Sequence, residues 1–500
     1  MINTASIPNE INALKDFTHN LILRNQQLEE MLLYFKGQRF GASSESLNSD
    51  QLGLFDSEKD SIEETEIIKE TPVSSHIRKK KSGRCSFSED LKIIEIKHDI
   101  SEEEKICSCN GQQKKCIGEE RSREIKYIPA TVEVIEHVRL KYACPTCENG
   151  VSIAELPPKL LPKTMSTPSL LTHLIISKYF DALPLYRQER IFQRIGIDLN
   201  RATMSNWLLA VGEKLQPIVN LILERLTSYS YLQMDETPFQ VLKEEGRTAW
   251  QKSYIWVVRG GPPNKRMVFY YYDPRRSSVT PKLLLSDFKG YLQCDGHSAY
   301  KVLDADPNIS IVACMAHIRR KFYDAIQAGL KTKRKSKVAC QMLKYIKELY
   351  QIEKDIKELS ADEIHQIRQS KSKSIMELMK NKADEEIVKI APGSLTSKAL
   401  RYMANHWKFM LRYLDDGQIA IDNNQIENAI RPFVIGRKNW LFSNTAKGAI
   451  TTGNFYTLIE TAKANNLEPS RYLETVLEKL PHAKTVSDFE NLLPFNITLE

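Results

Sequence analysis

The sequence predicts a multidomain α+β protein, and three observations lead to that prediction. The chain has 500 residues, more than a single hydrophobic core usually supports. A strand-rich block begins at Tyr229, whereas the segments before it and after it mostly have helical spacing. Five cysteines interleaved with β-type runs lie in residues 91–155, a pattern typical of a small metal-binding domain.

Composition gives only weak indications of a partner. Hydrophobic residues make up 42% and charged residues 27%, which is typical of globular proteins, and the net charge of +8 mildly favours a polyanion. No run of 18 apolar residues is present, and the first ten residues lack the pattern of a secretory signal. We therefore expect no membrane segment and a cytoplasmic protein whose clustered cysteines hold metal.

The N-terminal region, residues 1–45, is predicted to be a helix. Its apolar residues form a heptad seam that is interrupted by Arg24: Leu14, Phe17, Leu21, Leu28, Met31 and Phe35. Two interpretations remain open, a short coiled coil that pairs protomers and an amphipathic helix docked on its own chain. Residues 46–90 have the composition of a flexible linker, acidic at first and then basic.

Residues 91–160 are predicted to be a zinc-binding β domain. Tetrahedral Zn²⁺ requires four soft ligands, and two cysteine pairs separated by a hairpin supply them. The expected ligands are Cys107, Cys109, Cys144 and Cys147. Cys116 could replace a member of the first pair, because C-x-C is tighter than the usual spacing. Five unrelated buried thiols are the alternative.

Residues 161–226 contain three predicted helices, and the break at Gly196 gives them helix-turn-helix-like spacing. This favours a DNA-binding segment, although an ordinary three-helix packing unit has the same pattern. The next region, residues 227–448, has the predicted order βββαβαβα, which is that of a ribonuclease H-like fold. A helical insertion is expected over about 325–415, because residues 308–391 contain no proline and one glycine.

The predicted sheet brings two carboxylates together. Asp235 ends the first predicted strand and Asp295 ends the fourth, and these strands lie side by side in such a fold. Adjacent carboxylates repel unless a hard cation bridges them, so we expect Mg²⁺ or Mn²⁺ here. Glu427, on a helix capped by Asp422 or Asn423, is the predicted third acid, and Asp422 is the alternative.

Basic residues near these acids suit a phosphate-rich substrate, and an aromatic ring could stack on an unpaired base. The predicted DNA-binding residues are Arg319, Arg320, Lys321, Arg431, Arg437, Lys438 and Trp440. His317 has two open interpretations, contact with the DNA and a purely structural role.

With these motifs assembled, the chain resembles transposases of the insertion sequence 66 family along nearly its whole length. The resemblance is carried by "CIGEERSREIKYIPATVEVIEHVRLKYACPTC", "MDETPFQV", "LQCDGHSAY", "ACMAHIRRKF" and "DNNQIENAIRPFVIGRKNWLFSNTAKGA". A further block, "YTLIETAKANNLEPSRYLETVLEKLP", resembles the family's small C-terminal element, here residues 449–500. The C-x-C pair departs from the commoner C-x-x-C pattern.

The resemblance implies a DDE-type transposase with Asp235, Asp295 and Glu427 as its triad. Water would hydrolyse a phosphodiester at the element's end, and the freed 3′-hydroxyl would attack target DNA. It implies binding to terminal inverted repeats and target DNA, a homo-oligomer on DNA and possible helper proteins of the same element. The alternatives are another ribonuclease H-like nuclease or resolvase, and a non-catalytic zinc-dependent DNA-binding regulator.

Overall fold

The computed structural model describes residues 10–18, 21–22, 24–25, 28, 131–143, 151–153, 155–331 and 336–499. The chain divides into two compact units, one comprising Met1–Ser43 and Leu156–Glu500 and the other Ser44–Glu155. The expected linker and the five cysteines of the predicted zinc domain lie outside the described residues. In the unit Ser44–Glu155, strand β1 (Lys141–Ala143) pairs antiparallel with β2 (Val151–Ile153).

Part of the predicted N-terminal helix is described. Residues 11–18 are helical, and Leu14, Leu21 and Leu28 of the heptad seam are between 42% and 50% exposed. A seam that stays half-exposed is compatible with a partner helix, but Met31 and Phe35 of the seam lie outside the described residues. The coiled coil therefore stays a prediction.

Four helices precede the sheet: α1 (Pro168–Ile175), α2 (Leu185–Arg194), α3 (Arg201–Lys214) and α4 (Gln216–Thr227). A π-helical turn extends α1 to Phe180, and Asn200 caps α3 by accepting a hydrogen bond from the Thr203 amide. These helices share one apolar core with the sheet. The inner face of α3 is therefore occupied by packing, and the predicted DNA-reading role is left to its outer face.

The central sheet is built from two kinds of connection. Strands β3 (Tyr231–Lys243), β4 (Lys252–Gly260) and β5 (Met267–Asp273) form an antiparallel meander. Helix α5 (Val279–Leu284) leads to β6 (Gly290–Cys294), α6 (Ser298–Lys301) to β7 (Ile309–Ala313), and α7 (Met315–Lys331) follows. The strand order is β5-β4-β3-β6-β7, with β6 parallel to both β3 and β7. The predicted order of elements and the mixed α+β class are confirmed.

The prediction that Asp235 ends the first strand was wrong. Strand β3 continues to Lys243, because residues after Asp235 keep pairing with β4 as far as Gln240 opposite Lys252. Phe239 and Val241 are buried and hold this extension against the core. On its other side, however, β3 pairs with β6 only through Gln233, so Asp235 lies just beyond the end of that pairing.

The insertion is helical and has its own core. It contains helices α8 (Lys337–Asp355), α9 (Ala361–Ile367), α10 (Lys373–Ile387) and α11 (Leu395–Leu411). Of these, α8, α10 and α11 pack with α7 around buried methionine, leucine and isoleucine side chains. Buried Arg368, directly after α9, links α8 to the segment that follows α11. It bonds both oxygens of Glu353, at 2.9 and 2.6 Å, and donates to the carbonyls of Tyr413 and Asp416.

The chain then returns to the sheet. Helix α12 (Asn424–Trp440) leads to a short strand, β8 (Ser443–Thr445), which pairs parallel with the far end of β3. Helix α13 (Ala446–Ala464) covers the edge strand β5, where Thr457 and Thr461 accept hydrogen bonds from its backbone amides. Helices α14 (Pro469–Lys479) and α15 (Val486–Glu490) complete the described chain. The β5 edge of the sheet is thus covered, and the two backbone amides that contact α13 have hydrogen-bond acceptors.

Candidate active site

The register between β3 and β6 explains why two distant aspartates meet. Gln233 lies directly opposite Gln293 in the parallel ladder, and the two side chains hydrogen-bond at 2.8 Å. Asp235 and Asp295 each follow two residues later. Side chains two apart on extended chain share a face, so both carboxylates point to the side of the sheet that the two glutamines occupy.

Asp235, Glu236 and Asp295 each offer a carboxylate oxygen within 4.8 Å of the others. The amide of Glu236 donates to Asp235 Oδ1 at 2.8 Å, and the amide of His297 donates to Asp295 Oδ1 at 2.9 Å. Burial, followed by the nearby charges of Glu236 and Asp295, raises the pKa of Asp235 well above its usual value. Such a partly buried, mutually repelling set of hard oxygen ligands fits a divalent cation such as Mg²⁺.

Glu236 was missed by the sequence analysis. Its side chain is fully buried, and both oxygens are engaged: Oε1 by Arg276, whose Nε donates at 2.5 Å, and Oε2 by the Tyr300 hydroxyl. Two consecutive acids inside an apolar strand were the available signal. An unpartnered carboxylate is rare at such a position, so a cationic partner could have been expected.

A ladder of polar side chains fixes the segment that precedes the third predicted acid. The Tyr231 hydroxyl donates to Gln293 Oε1 at 2.6 Å and accepts from the Ala420 amide at 3.2 Å. Gln293 Nε2 donates to the Ala420 carbonyl at 2.8 Å, and Gln233 Nε2 lies 3.3 Å from the Asp422 carbonyl. The segment that follows the insertion is thereby fixed on the glutamine side of β3 and β6, immediately before α12 begins.

Glu427 lies in the first turn of α12. Burial raises its pKa; the Arg320 charge opposes this effect, and Asp422 and Asp295 add to it, which places Glu427 among these charges. It is not part of the tight cluster of Asp235, Glu236 and Asp295. The structure therefore brings the two predicted aspartates together, with Glu427 nearby.

Asp422, the alternative third acid, is used structurally. Its Oδ1 accepts from the Asn424 amide at 3.1 Å, and its Oδ2 accepts from the Tyr350 hydroxyl at 2.7 Å and from Asn424 Nδ2 at 3.0 Å. Asn423 occupies the N-cap position of α12 without a capping side-chain bond, so Asp422 supplies the cap-like contact. With these bonds in place, Asp422 anchors the start of α12.

The predicted DNA-binding residues of α7 lie beside this site. Arg320 and Lys321 are exposed, whereas Arg319 is half-buried, with its guanidinium 6.0 Å from the centre of the Tyr323 ring. His317, one turn earlier, has a pKa lowered mainly by burial and opposed by the Asp295 charge. Its Nδ1 has no hydrogen-bond partner among the described residues.

The predicted residues of α12 fall into two groups. Arg431 and Lys438 are exposed, but Arg437 donates to Thr237 Oγ1 at 3.1 Å and to the Pro238 carbonyl, which ties α12 to β3. Trp440 packs edge-to-face on Phe239 and Phe433, each with a centroid separation of 5.5 Å, in an aromatic cluster. Its expected stacking on a base therefore stays a prediction that this packing does not favour.

Helix α11 of the insertion reaches the loop after β6, a contact the sequence analysis also missed. A Cβ on Gly296 would lie 2.5 Å from His406 Nε2 and 2.6 Å from the Tyr402 hydroxyl. His406 is 5% exposed; its Nδ1 is 2.7 Å from the Tyr402 carbonyl, and its Nε2 has no partner in the described chain. The insertion thus packs directly against the loop that carries Asp295.

Comparison with known proteins identifies related sequences. Residues 163–451 match the model of the "Transposase IS66 family", and residues 457–495 match the "IS66 C-terminal element". Residues 104–148 match the "zinc-finger binding domain of transposase IS66", and residues 27–96 match "Transposase C of IS166 homeodomain". The zinc-finger match spans all five cysteines of the predicted zinc domain, which supports Zn²⁺ as a ligand of this region.

Three similar proteins come from Sinorhizobium fredii, and each is described as uncharacterized. Protein y4qI is 33% identical over 426 residues, covering 83% of this chain and 77% of its own. Protein y4jD is 32% identical over 410 residues (79% of each chain), and y4hP is 26% identical over 488 residues, covering 94% and 87%. Within the described residues, no helix is both long and apolar enough to span a membrane.

Proposed function

Because the chain belongs to the IS66 family of transposases, we propose that it cuts and joins DNA strands at a divalent-metal site formed by Asp235, Asp295 and Glu427. The observation that carries the proposal is the convergence of Asp235 and Asp295 from adjacent parallel strands. The strand order β5-β4-β3-β6-β7, with its antiparallel meander and parallel crossovers, supports a ribonuclease H-like core.

Glu427 is a better third ligand than Glu236. Both oxygens of Glu236 are already bonded to Arg276 and Tyr300, so a metal would have to displace these partners. Glu427 has Arg320 as the nearby charge that favours its ionised form, and it lies in the first turn of α12, directly after the segment that the polar ladder fixes. Free carboxylate oxygens are what a hard cation requires.

In the proposed reaction, Asp235, Asp295 and Glu427 hold Mg²⁺ or Mn²⁺, and the exposed Arg320 and Lys321 neutralise phosphates of the bound strand. When bound, the metal ions supply the activation of water or a 3′-hydroxyl and the stabilisation of the leaving oxygen. The Glu236 and His297 amides orient Asp235 and Asp295, respectively. No covalent bond to the protein is formed, and the 3′-hydroxyl freed by hydrolysis attacks the target phosphodiester in line.

The remaining parts of the chain are proposed to bind DNA and to pair protomers. The zinc-finger region and the outer face of the helices in residues 161–226 would bind the element's terminal inverted repeats. Arg431 and Lys438, exposed on α12, would contact the DNA backbone. The N-terminal seam would pair protomers of a nucleoid-associated protein on DNA. Helper proteins of the same element would be further partners. Metal analysis of the purified protein should find about one zinc per chain.

The proposal is tested with a labelled duplex made of the DNA that flanks the protein's own reading frame, here called the flank duplex. Asp295→Asn should still bind the flank duplex in a gel-shift assay, yet lose Mg²⁺- or Mn²⁺-dependent cleavage. Asp287→Asn, an identical change at an exposed position just before β6, is the matched control and should cleave normally. Cleavage by Asp295→Asn at the control rate would refute the metal site.

Joining distinguishes a transposase from the other candidates. A second labelled target duplex should become covalently joined to the flank duplex, whereas a resolvase of the same fold would cleave without joining. A non-catalytic regulator would keep its biological activity in the Asp295→Asn variant. These outcomes separate the three functions with one set of proteins.

A further inference from the structure

Arg276 reaches into the acidic cluster from outside it. It lies in the loop after β5, and Asp273 braces this loop by accepting from the Arg275 amide at 2.7 Å and from the Thr280 hydroxyl at 2.9 Å. The guanidinium lies 6.0 Å from the centre of the Tyr254 ring on β4. The long, flexible side chain of Arg276 is therefore held in one place beside the acidic cluster.

Glu236 holds the Arg276 guanidinium from the buried side. Arg276 Nε and Nη2 both approach Glu236 Oε1, and the Tyr300 hydroxyl donates to the other oxygen. Tyr300 is itself buried, with its ring edge-to-face on Trp256 at 5.9 Å. The Glu236 side chain is fully buried, whereas that of Arg276 stays 34% exposed. Glu236 therefore holds Arg276 from the buried side, and part of the Arg276 side chain stays accessible.

The guanidinium of Arg276 lies beside Asp295. Arg276 Nη2 is 3.9 Å from Asp295 Oδ2, too far for a hydrogen bond but adjacent to a proposed metal ligand. In the described chain, the side-chain hydrogen bonds of Arg276 go to Glu236, which leaves N–H groups on its Nη atoms for another acceptor. A planar guanidinium matches two oxygens of a phosphate, and a fixed one loses little entropy on binding.

We propose that Arg276 binds a non-bridging oxygen of the scissile phosphodiester and that Glu236 is a positioning residue that holds it there. This inference rests on the proposed function, because it places the phosphate at the Asp235–Asp295 site. It assigns different roles to neighbouring carboxylates: Asp235 and Asp295 hold metal, whereas Glu236 acts only through the guanidinium. As the reacting phosphate gains charge in the transition state, a preorganised donor at its oxygen accelerates the chemical step.

The test is a double-mutant cycle on the full-length protein with the flank duplex. Arg276→Gln should lower kcat for cleavage by about 10²-fold, the usual effect of removing one preorganised donor. Glu236→Gln should lower it similarly, and the double variant should be no slower than Arg276→Gln alone, because both changes remove one unit. Arg275→Gln, the same change at the adjacent exposed position, is the matched control.

Metal dependence separates positioning from ligation. The Mn²⁺ concentration for half-maximal cleavage should stay within about twofold of the wild-type value in Glu236→Gln and Arg276→Gln, since neither removes a ligand. A tenfold or greater increase confined to Glu236→Gln would make Glu236 a metal ligand and overturn the inference. Wild-type kcat in Arg276→Gln, with Asp295→Asn inactive, would overturn it while leaving the proposed function intact.

Arg276→Lys keeps the inference testable if the glutamine variants fail to fold. Lysine preserves the charge beside buried Glu236 but lacks the planar fork, so cleavage should fall less than in Arg276→Gln, while thermal unfolding stays at the wild-type temperature. Wild-type kcat in Arg276→Lys would show that charge alone suffices and would refute binding by the guanidinium fork.

Discussion

The contact between the insertion and the catalytic loop gives a prediction that can be sized from the structure. In Gly296→Ala, the new Cβ would lie 2.5 Å from His406 Nε2 and 2.6 Å from the Tyr402 hydroxyl. That is about 1 Å short of an ordinary contact of roughly 3.5 Å. Gly296 is not among the glycines with positive φ, so its backbone conformation accepts alanine and the effect is purely steric.

Overpacking of this kind costs roughly 1–3 kcal/mol of stability. The larger effect should be on activity, because His406 is buried and relief of the overlap shifts its side chain, the insertion or the loop that holds Asp295. A displacement of about 1 Å in a catalytic group commonly costs on the order of 10²-fold in rate. We therefore expect Gly296→Ala to bind the flank duplex normally and to cleave it about 100-fold more slowly.

The assay compares cleavage rates and thermal unfolding of three proteins: the wild type, Gly296→Ala, and Gly296→Ala combined with His406→Ala. His406→Ala opens space at the closer of the two contacts, so Gly296→Ala combined with His406→Ala should cleave faster than Gly296→Ala alone. Wild-type cleavage and unfolding in Gly296→Ala would refute the close packing of α11 on this loop. Equal rates in the single and double variants would show that His406 is not the obstacle.

Three further predictions concern the buried polar groups. Burial raises the pKa of Glu427, and burial with the charges of Glu236 and Asp295 raises that of Asp235, so protons compete with metal and Mn²⁺ affinity should fall as the pH is lowered; calorimetric titration measures this, and an affinity independent of pH would contradict it. Tyr300→Phe leaves a buried Glu236 oxygen without its donor and should lower the free energy of unfolding by roughly 1–3 kcal/mol in urea; unchanged stability would contradict the contact. Arg368→Ala strands the partly buried Glu353 and should destabilise the insertion by about 3–5 kcal/mol, judged by limited proteolysis and urea unfolding, whereas exposed Lys371→Ala should have little effect; equal effects of the two changes would refute the role of the ion pair.

The aspartates could be predicted from sequence because strands obey simple rules. Period-two alternation and the order of elements were enough to bring Asp235 and Asp295 to neighbouring strands, even though β3 proved longer than expected. The polar ladder was not predictable in the same way. Its bonds join residues that are 62 to 189 positions apart, and no local pattern identifies such partners.

Glu236 and Trp440 show the complementary difficulty. The acidic pair of β3 was visible, but the cation that neutralises Glu236 is 40 residues further on, in a loop whose position depends on the whole meander. Trp440 follows basic residues in a way that favoured contact with DNA, whereas its packing on Phe239 becomes apparent only when α12 returns to β3. Local sequence gives the chemical type of a side chain, and long-range packing decides its use.

The position of Glu427 beyond the insertion has a consequence for synthesis of the protein. A ribosome completes Asp235 and Asp295 more than a hundred codons before it reaches Glu427, β8 and α13, which pair with or cover the same sheet. On the proposed chemistry, a nascent chain already carries its zinc-finger region while it still lacks the means to cut. A reading frame interrupted within the insertion would therefore yield a chain that carries the zinc-finger region and lacks Glu427.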